Sequence, residues 1–245
     1  MPVRGFIAIW KRELGSCFLS PVAYVTMTVF LAATGVTFVA ALVRHAGTAE
    51  SATSLLAAAV VLWLSFLIAV VAMRLFAEES RAGTLETLLT APVTDTQVVL
   101  GKFAGALSFL LIAVLPCLAF MPILVVMNPA MTSIDAGALG ATALILLLLS
   151  AFCVSIGLLA SLLTRNQIVA AVCCLCGVWA VLLLGTIVSS LPFGLDGLAR
   201  YLGAMEHMEM FSRGIIDTRP IVLYLSATAF VLFVSVRVLE WRRWS

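Results

Sequence analysis

The amino-acid sequence predicts an all-α integral membrane protein with six transmembrane helices. Of its 245 residues, 63% are hydrophobic and only 11% are charged, and the mean hydropathy is +1.19. A soluble domain usually carries about a quarter or more charged residues on its surface, so this composition excludes a water-soluble globular protein. The few charges are also clustered, and long uncharged runs separate the clusters.

Six uncharged runs are long enough to cross a bilayer. A transmembrane helix needs about 20 apolar residues, with about 17 as the lower limit. The last run, between Arg219 and Arg237, is the shortest, although Leu239, Trp241 and Trp244 can extend it into the interface. We expect one membrane domain over residues 1–245, with spans at about 20–43, 51–73, 98–127, 136–163, 167–191 and 220–240.

The basic residues predict the orientation of these spans. With the N-terminus inside, the cytoplasmic set holds ten Lys and Arg residues, and the outer set holds only four, Arg44, Arg200, Arg213 and Arg219. Because Lys and Arg accumulate on the cytoplasmic side, both termini are predicted to be cytoplasmic. The first apolar run is too long for the core of a cleaved signal peptide, so none is expected.

The N-terminal segment 3–18 has the pattern of an amphipathic helix. Its apolar residues Phe6, Ile7, Trp10, Leu14, Cys17 and Phe18 share one sector of a helical wheel, and Lys11 and Arg12 supply charge. Such a helix fits the membrane interface. The alternative is a cytoplasmic extension of the first span, but Ser20 and Pro21 favour a separate helix start.

A charged island at 74–97 interrupts the apolar runs. Gly83 breaks the segment after Glu78 and Glu79, Thr84 can cap a new helix, and Pro92 must end it. This short helix, at about 84–91, carries Glu86 and places Leu85, Leu88 and Leu89 on one ridge. The ridge either docks on another protein or packs against its own bundle. Thr94 and Gln97 then have the spacing of a capping box.

The outer segment 192–219 mixes apolar and charged residues. Leu195, Leu198, Leu202 and Met205 have helical spacing, which predicts a helix or helical hairpin resting at the outer interface. Soft ligands occur in two places: Met205, His207, Met208 and Met210 in this segment, and Cys173, Cys174 and Cys176 in a span. Methionine and cysteine also serve as ordinary apolar packing residues. We therefore expect no metal site, no disulfide framework and no cofactor in this chain.

Catalytic motifs are absent from the sequence. The only Gly-Lys pair, Gly101 and Lys102, is followed by Phe103 and lacks the glycine of a phosphate-binding loop. No His-Glu-x-x-His or Gly-x-Ser-x-Gly occurs, and none of the six uncharged runs contains a carboxylate. Ion-coupled carriers and intramembrane enzymes keep ionisable groups at membrane depth. The chain is therefore predicted not to be an enzyme.

The island resembles the cytoplasmic loop of permease subunits of type-2 ABC transporters, and of the gliding-motility-associated group in particular. The resemblance rests on Glu78-Glu79, Gly83-Thr84-Leu85-Glu86, Leu88-Leu89-Thr90-Ala91-Pro92 and Leu100-Gly101-Lys102. Near the C-terminus, His207, the stretch Phe211-Ser212-Arg213-Gly214-Ile215-Ile216-Asp217-Thr218-Arg219 and the ending 237–244 are similar to the closing segment of the same group.

The resemblance implies a six-helix permease half in a bacterial inner membrane. It would pair with a second permease half, identical or different, and with separate ATPase subunits that bind ATP and Mg. The helix at 84–91 would be the coupling helix, with Glu78, Glu79 and Glu86 orienting it through contacts with the ATPase or the interfacial helix. Membrane lipid and an additional outer-face protein are further expected partners, and nucleic acid is not.

Three function classes follow from these observations. The first is a permease of an ATP-driven exporter. The second is a membrane scaffold or mechanotransmission component, which uses an ABC ATPase for work on a partner without moving a solute. The third, an intramembrane enzyme, lacks catalytic residues in the sequence. The sequence does not identify a transported substrate.

Overall fold

The computed structural model describes residues 2–46, 51–83, 93–127, 135–190 and 196–244. Within these residues every regular element is a helix. The helices are α1 Pro2–Leu19, α2 Pro21–Arg44, α3 Ala52–Leu75, α4 Ala77–Ala82, α5 Asp95–Leu118, α6 Phe120–Met127, α7 Ala136–Leu163, α8 Gln167–Ser189, α9 Asp196–Leu202, α10 Ala204–Ser212 and α11 Thr218–Trp244.

The predicted fold class is confirmed: the described part of the chain is all-α and has six helical segments of membrane-spanning length and composition. These segments are Pro21–Arg44, Ala52–Arg81, Asp95–Val126, Ala136–Leu163, Gln167–Ser189 and Thr218–Arg242. The last of them was expected to be the shortest. Its helix α11 instead runs from Thr218 to Trp244, because the charged residues after Val236 continue the helical turn.

The segment expected as one helix at 98–127 is two helices. Pro116 lies in the last turn of α5, and the chain leaves the helix at Ala119 before α6 begins. Pro122 has no N–H to donate to the carbonyl four residues earlier, that of Leu118, which accounts for the interruption at Ala119. Pro122 falls in the first turn of α6, where a missing N–H costs little.

Helix α3 lies at the centre of the bundle. It packs against α2, α5, α7 and α8. Of its most apolar window, 72% is buried, compared with 17% for α2 and 11% for α11. A helix that is apolar on all sides is suited to such a central position, and α2 and α11 remain at the periphery.

The outer segment contains two short helices, α9 and α10, joined at Gly203. They pack against α8 and α7. A side chain at Gly185 of α8 would overlap the backbone of Gly203, so this glycine allows the close approach of the two helices. Thr53 of α3 donates a hydrogen bond to the carbonyl of Ser212 at 2.8 Å and connects α10 to the bundle.

Hydroxyl groups in the first span bond to their own helix. Thr26 donates to the carbonyl of Ala23 at 3.0 Å, and Thr37 donates to that of Ala33 at 2.8 Å. Such bonds satisfy a hydroxyl in an apolar medium without a partner helix. Thr34 of the same span is fully buried.

Candidate functional site

A buried lysine organises the end of the bundle where α1, α3, α4 and α5 meet. Lys102 of α5 is only 1% exposed. Its Nζ donates hydrogen bonds to Glu13 Oε1 at 2.8 Å and to the carbonyl of Leu75 at 2.7 Å. It lies 3.0 Å from Glu79 Oε2 and 4.9 Å from the centre of the Phe76 ring. A buried ammonium group needs such compensation, because the desolvation of an unpaired charge is costly.

Arg12 completes the cluster. Its guanidinium lies 3.0 Å from the second carboxylate oxygen of Glu79. We call Arg12, Glu13, Glu79 and Lys102 the charged junction. It contains two positive and two negative side chains, and it connects α1, α4 and α5. Because the charges balance and are close together, each offsets part of the cost of burying the others.

The break between α3 and α4 gives the junction its geometry. Ser161 of α7 accepts hydrogen bonds from the backbone N–H groups of Phe76 and Ala77, both at 3.0 Å. The hydroxyl thus satisfies two donors that a continuous helix would have used. The chain turns there. As a result, the Leu75 carbonyl accepts a hydrogen bond from Lys102, and Glu79 lies on the side of α4 that faces Lys102.

Two glycines bring α1 against α5. A Cβ atom added at Gly101 would lie 2.7 Å from the Ile9 side chain, and one added at Gly105 would lie 2.7 Å from Cβ of Glu13. The contact moves forward by four residues on both helices, so α1 and α5 run side by side in the same direction. Small residues four apart permit this close approach. The interfacial position of α1 remains a prediction. Because α1 runs beside α5, its angle to the membrane plane depends on the tilt of α5.

Further polar contacts surround the junction. Arg74 lies 3.1 Å from Glu78 and donates to the Ser20 hydroxyl at 3.0 Å, which holds the start of α2. Arg81 donates to Gln167 Oε1 at 3.5 Å, at the start of α8. The residues that precede the predicted coupling helix are therefore in contact with several spans.

The structure separates the predicted coupling residues into two groups. Glu79 belongs to the charged junction, whereas Glu78 pairs with Arg74 on the neighbouring turn. Gly83 ends α4 with a positive φ of 71°, a conformation that favours glycine. The capping box of Thr94 and Gln97 is confirmed. The other predicted residues lie outside the described residues, so the coupling helix at 84–91 stays a prediction; they are Thr84, Leu85, Glu86, Leu88, Leu89 and Pro92.

The predicted apolar sector of α1 differs from the observed one. Phe6, Trp10 and Leu14 are half-buried, and Lys11 and Arg12 are exposed. Trp10 Nε1 donates to Ser108 Oγ on α5 at 3.1 Å. The most buried apolar residue is Ile9, which was not part of the predicted sector, whereas Ile7 is 37% exposed. The helix is rotated from the expected position because the glycines of α5 receive Ile9 and Glu13.

At the other end of the bundle, His207 is buried and its Nδ1 lies 3.2 Å from the Tyr224 hydroxyl of α11. Burial lowers the pKa of His207, although a hydrogen bond from its ring to the backbone carbonyl of Arg200 and the charge of Asp217 act in the opposite direction. Phe211 is fully buried beside it. His207 therefore connects α10 to α11 as a neutral side chain.

The remaining predicted outer residues form local contacts. Arg213 pairs with Glu209 on the previous turn. Gly214 has a positive φ of 80°. Asp217 accepts a hydrogen bond from the Arg219 N–H at 3.0 Å, just where α11 begins. These contacts account for the shape of the turn between α10 and α11.

The soft ligands do not share one environment. Met205 is exposed, whereas Met208 and His207 are buried. In the span, Cys174 is buried and Cys173 and Cys176 are exposed. Within the described ranges, no group of three or more His, Cys, Asp or Glu side chains has a metal-binding arrangement.

A comparison with models of protein families identifies the family of this chain. The model of the ABC-2 family transporter proteins matches residues 18–203, which is more than half of the chain. The chain belongs to this family. A search of curated proteins found no match. The ABC-2 family member is thus a multi-pass membrane protein and a permease subunit of an ABC transporter, a class that works with an ABC ATPase and in a dimeric arrangement.

Sequence reasoning missed the centre of the site in this ABC-2 permease. Glu13 and Lys102 lie 89 residues apart, and no local pattern joins them. One signal was available: Gly101 and Gly105 have the spacing at which small residues allow two membrane helices to approach closely. That spacing indicates that α5 packs closely against another helix, but it does not identify α1 as that helix.

Proposed function

We propose that this ABC-2 permease is the membrane half of an ATP-driven exporter and that it is coupled to its ATPase through the segment 84–91 together with α1. The observation that carries the proposal is the charged junction, which fixes α1 and α4 to one end of α5. Gly83, four residues after Glu79, begins the connection to the proposed coupling helix.

The junction supports transmission of force from the loop to the spans. Separation of the paired charges would leave them buried without compensation, which opposes opening of the junction. The close contact of Gly101 and Gly105 with α1 adds a second rigid connection. A displacement of the coupling segment would therefore move α1, α4 and the adjacent end of α5 together. Closure of the ATPase pair would then tilt the permease halves between inward and outward states.

The proposal also covers the orientation of the permease, its membrane and its partner subunits. The excess of basic residues supports cytoplasmic termini and a cytoplasmic charged junction. The resemblance of the island and of the C-terminal stretch supports a bacterial inner-membrane permease of the gliding-motility-associated group. It would pair with a second permease half, identical or different. ATP and Mg would be bound by the ATPase subunits, and the short outer helices α9 and α10 would shape the outer mouth.

The substitution Leu88→Asp tests the coupling. A charge buried without a partner at a small apolar contact costs several kcal/mol, on the order needed to dissociate a modest complex. We expect normal membrane insertion but loss of ATPase co-purification and of its stimulation. Leu88→Met, which keeps the volume and polarity, is the matched control. A Leu88→Asp variant that retains its ATPase and transports normally would contradict the proposal.

A second experiment separates transport from mechanical work on a partner. The permease and its co-purified ATPase are reconstituted into liposomes, and ATP-dependent movement of candidate solutes is measured. Movement that requires ATP supports the exporter. ATP hydrolysis that is stimulated by the permease without any solute movement favours the scaffold or mechanotransmission function instead.

A further inference from the structure

Arginines from three parts of the chain lie near the start of α8, at the end of the bundle that carries the charged junction. Arg81 of α4 donates at 3.5 Å to Oε1 of Gln167, the first residue of α8. Arg165 lies two residues before Gln167, in the connection from α7, and is exposed. Arg242, near the end of α11, is close enough for the charge of Arg165 to act on it. We call Arg81, Arg165 and Arg242 the arginine cluster.

The packing of α7 beside α11 brings Arg165 and Arg242 together. A Cβ atom added at Gly214, just before α11, would lie 3.6 Å from Ala138 near the start of α7. The two helices pack against each other and have almost the same length, 28 and 27 residues. They therefore run in the same direction and end at the same level. Two positive charges that are far apart in the sequence are held close together by the fold.

Two of the three arginines have no carboxylate partner within the described part of the chain. Neither Arg81 nor Arg165 forms an ion pair there. The carboxylates nearby along the chain are paired with other basic residues: Glu78 with Arg74, Glu79 with Arg12 and Lys102, and Glu240 with Arg237. Like charges that the fold gathers without carboxylates create a positive potential, which attracts an anion from outside the chain.

The surface beside the arginine cluster identifies the kind of anion. Leu163, Ile168 and Val172 are all largely exposed, and the last two lie one turn apart on α8. Trp241, next to Arg242, is also exposed, and tryptophan is enriched where hydrocarbon meets the headgroups. A basic cluster beside an exposed apolar strip matches a molecule with an anionic head and apolar chains. An acidic protein segment would match the arginines but not the strip.

We propose that the arginine cluster binds the phosphate of an anionic phospholipid in the leaflet at this end of the bundle. The guanidinium groups donate to the phosphate oxygens, for which their planar fork is suited. An acyl chain lies along Ile168 and Val172. The site needs only a bilayer, so it does not depend on the proposed export function or on the coupling segment 84–91.

Lipid retention tests this site. The full-length chain is purified in mild detergent and mixed with equal amounts of phosphatidylglycerol and phosphatidylcholine, and the bound lipid is measured by native mass spectrometry. We expect preferential retention of phosphatidylglycerol. Arg165→Gln should lower it about fivefold, the effect of one basic residue at an anionic membrane surface. Arg165→Lys should keep most of it, because lysine also binds phosphate as a point charge.

Arg237→Gln is the matched control, because it removes the same charge at the same end from a residue that is paired with Glu240. It should leave phosphatidylglycerol retention unchanged. Both side chains are exposed, so the variants should unfold at the same temperature as the unmodified protein.

Three results would overturn the proposal. The first is an equal loss of phosphatidylglycerol in Arg165→Gln and Arg237→Gln. The second is equal retention of both lipids by the unmodified protein. The third is unchanged lipid retention in Arg165→Gln together with reduced recovery of the ATPase, which would assign the arginine cluster to an acidic protein surface.

Discussion

At the residue scale, Lys102 has a role that its place in the sequence does not reveal. It stands at the start of a span, where a lysine usually extends toward water. Its Nζ is instead surrounded by Glu13, Glu79 and the Leu75 carbonyl. A single side chain thus contacts carboxylates from two other helices, and its removal leaves Glu13 and Glu79 with little exposure to water to compensate the lost charge.

Lys102→Met should destabilise the protein strongly. Loss of the ammonium leaves Glu13 without its buried partner, which costs about 3–5 kcal/mol. Thermal unfolding in mild detergent measures the effect. The control is Arg237→Met, because Arg237 and Glu240 form an exposed pair, and exposed pairs contribute at most about 1 kcal/mol. Adding Glu13→Gln should recover part of the loss. Equal midpoints for Lys102→Met and Arg237→Met would contradict this role.

The burial of His207 predicts that the free energy of unfolding depends on pH. Because burial lowers its pKa below the ordinary value, the unfolded state takes up a proton before the folded state does. Stability is therefore unaffected above the unfolded pKa of about 6.5 and falls as the pH drops below it, by up to about 1.4 kcal/mol per pH unit.

Replacement of the histidine tests this dependence. His207→Asn should remove part of the loss of stability between pH 7 and pH 5. His45→Asn serves as the control, since the chain has only two histidines. Unfolding midpoints measured across this pH range decide the outcome: if His207→Asn and wild type lose the same stability on acidification, the folded state does not hold His207 neutral.

At the scale of the element, the helices could be predicted from local patterns and their partners could not. The start of α2 at Ser20-Pro21 and the capping box of α5 could be predicted from the sequence, because each depends on residues that are close together in the chain. The break before α6 could have been anticipated from Pro122. The rotation of α1 could not, since it depends on glycines almost a hundred residues away.

Two glycine substitutions test the contact between α1 and α5. Gly105→Ala places a Cβ 2.7 Å from that of Glu13, and overpacking of this kind costs about 1–3 kcal/mol. Gly140→Ala in α7 meets nothing within 4 Å, so it should be neutral or stabilising by about 0.5–1 kcal/mol. Limited proteolysis near the N-terminus, together with thermal unfolding, should show loosening of α1 in the first variant only. Similar behaviour of both variants would mean that α1 is not held by this contact.

At the scale of the whole molecule, hydropathy alone predicted the fold class. Bilayer thickness sets the length of a span, and the cost of a charge in hydrocarbon keeps the spans uncharged, so six spans follow from composition and spacing. The charged junction did not follow, because it depends on which spans are neighbours. The central position of α3 likewise reflects packing among helices that are all similarly apolar.

Reporter fusions test the predicted orientation. A reporter that is active only in the cytoplasm should work after Ser245 and near Ala82, and should fail near Gly203. Expression of each fusion is verified by immunoblotting. Activity near Gly203 would show that α10 and the charged junction lie on the same side of the membrane, and would exclude the six-span arrangement.

The parallel contact between α1 and α5 has a consequence during synthesis. Glu13 leaves the ribosome 89 residues before Lys102. At a synthesis rate of about 5–20 residues per second, Lys102 of α5 is added roughly 4–18 seconds after Glu13 of α1. During this interval the contacts of Trp10 with Ser108 and of Phe18 with Phe109 cannot form, and an amphipathic helix can lie in the lipid headgroup layer. If α1 has its predicted interfacial position, its apolar sector would keep the nascent helix at the membrane surface until α5 has been synthesised.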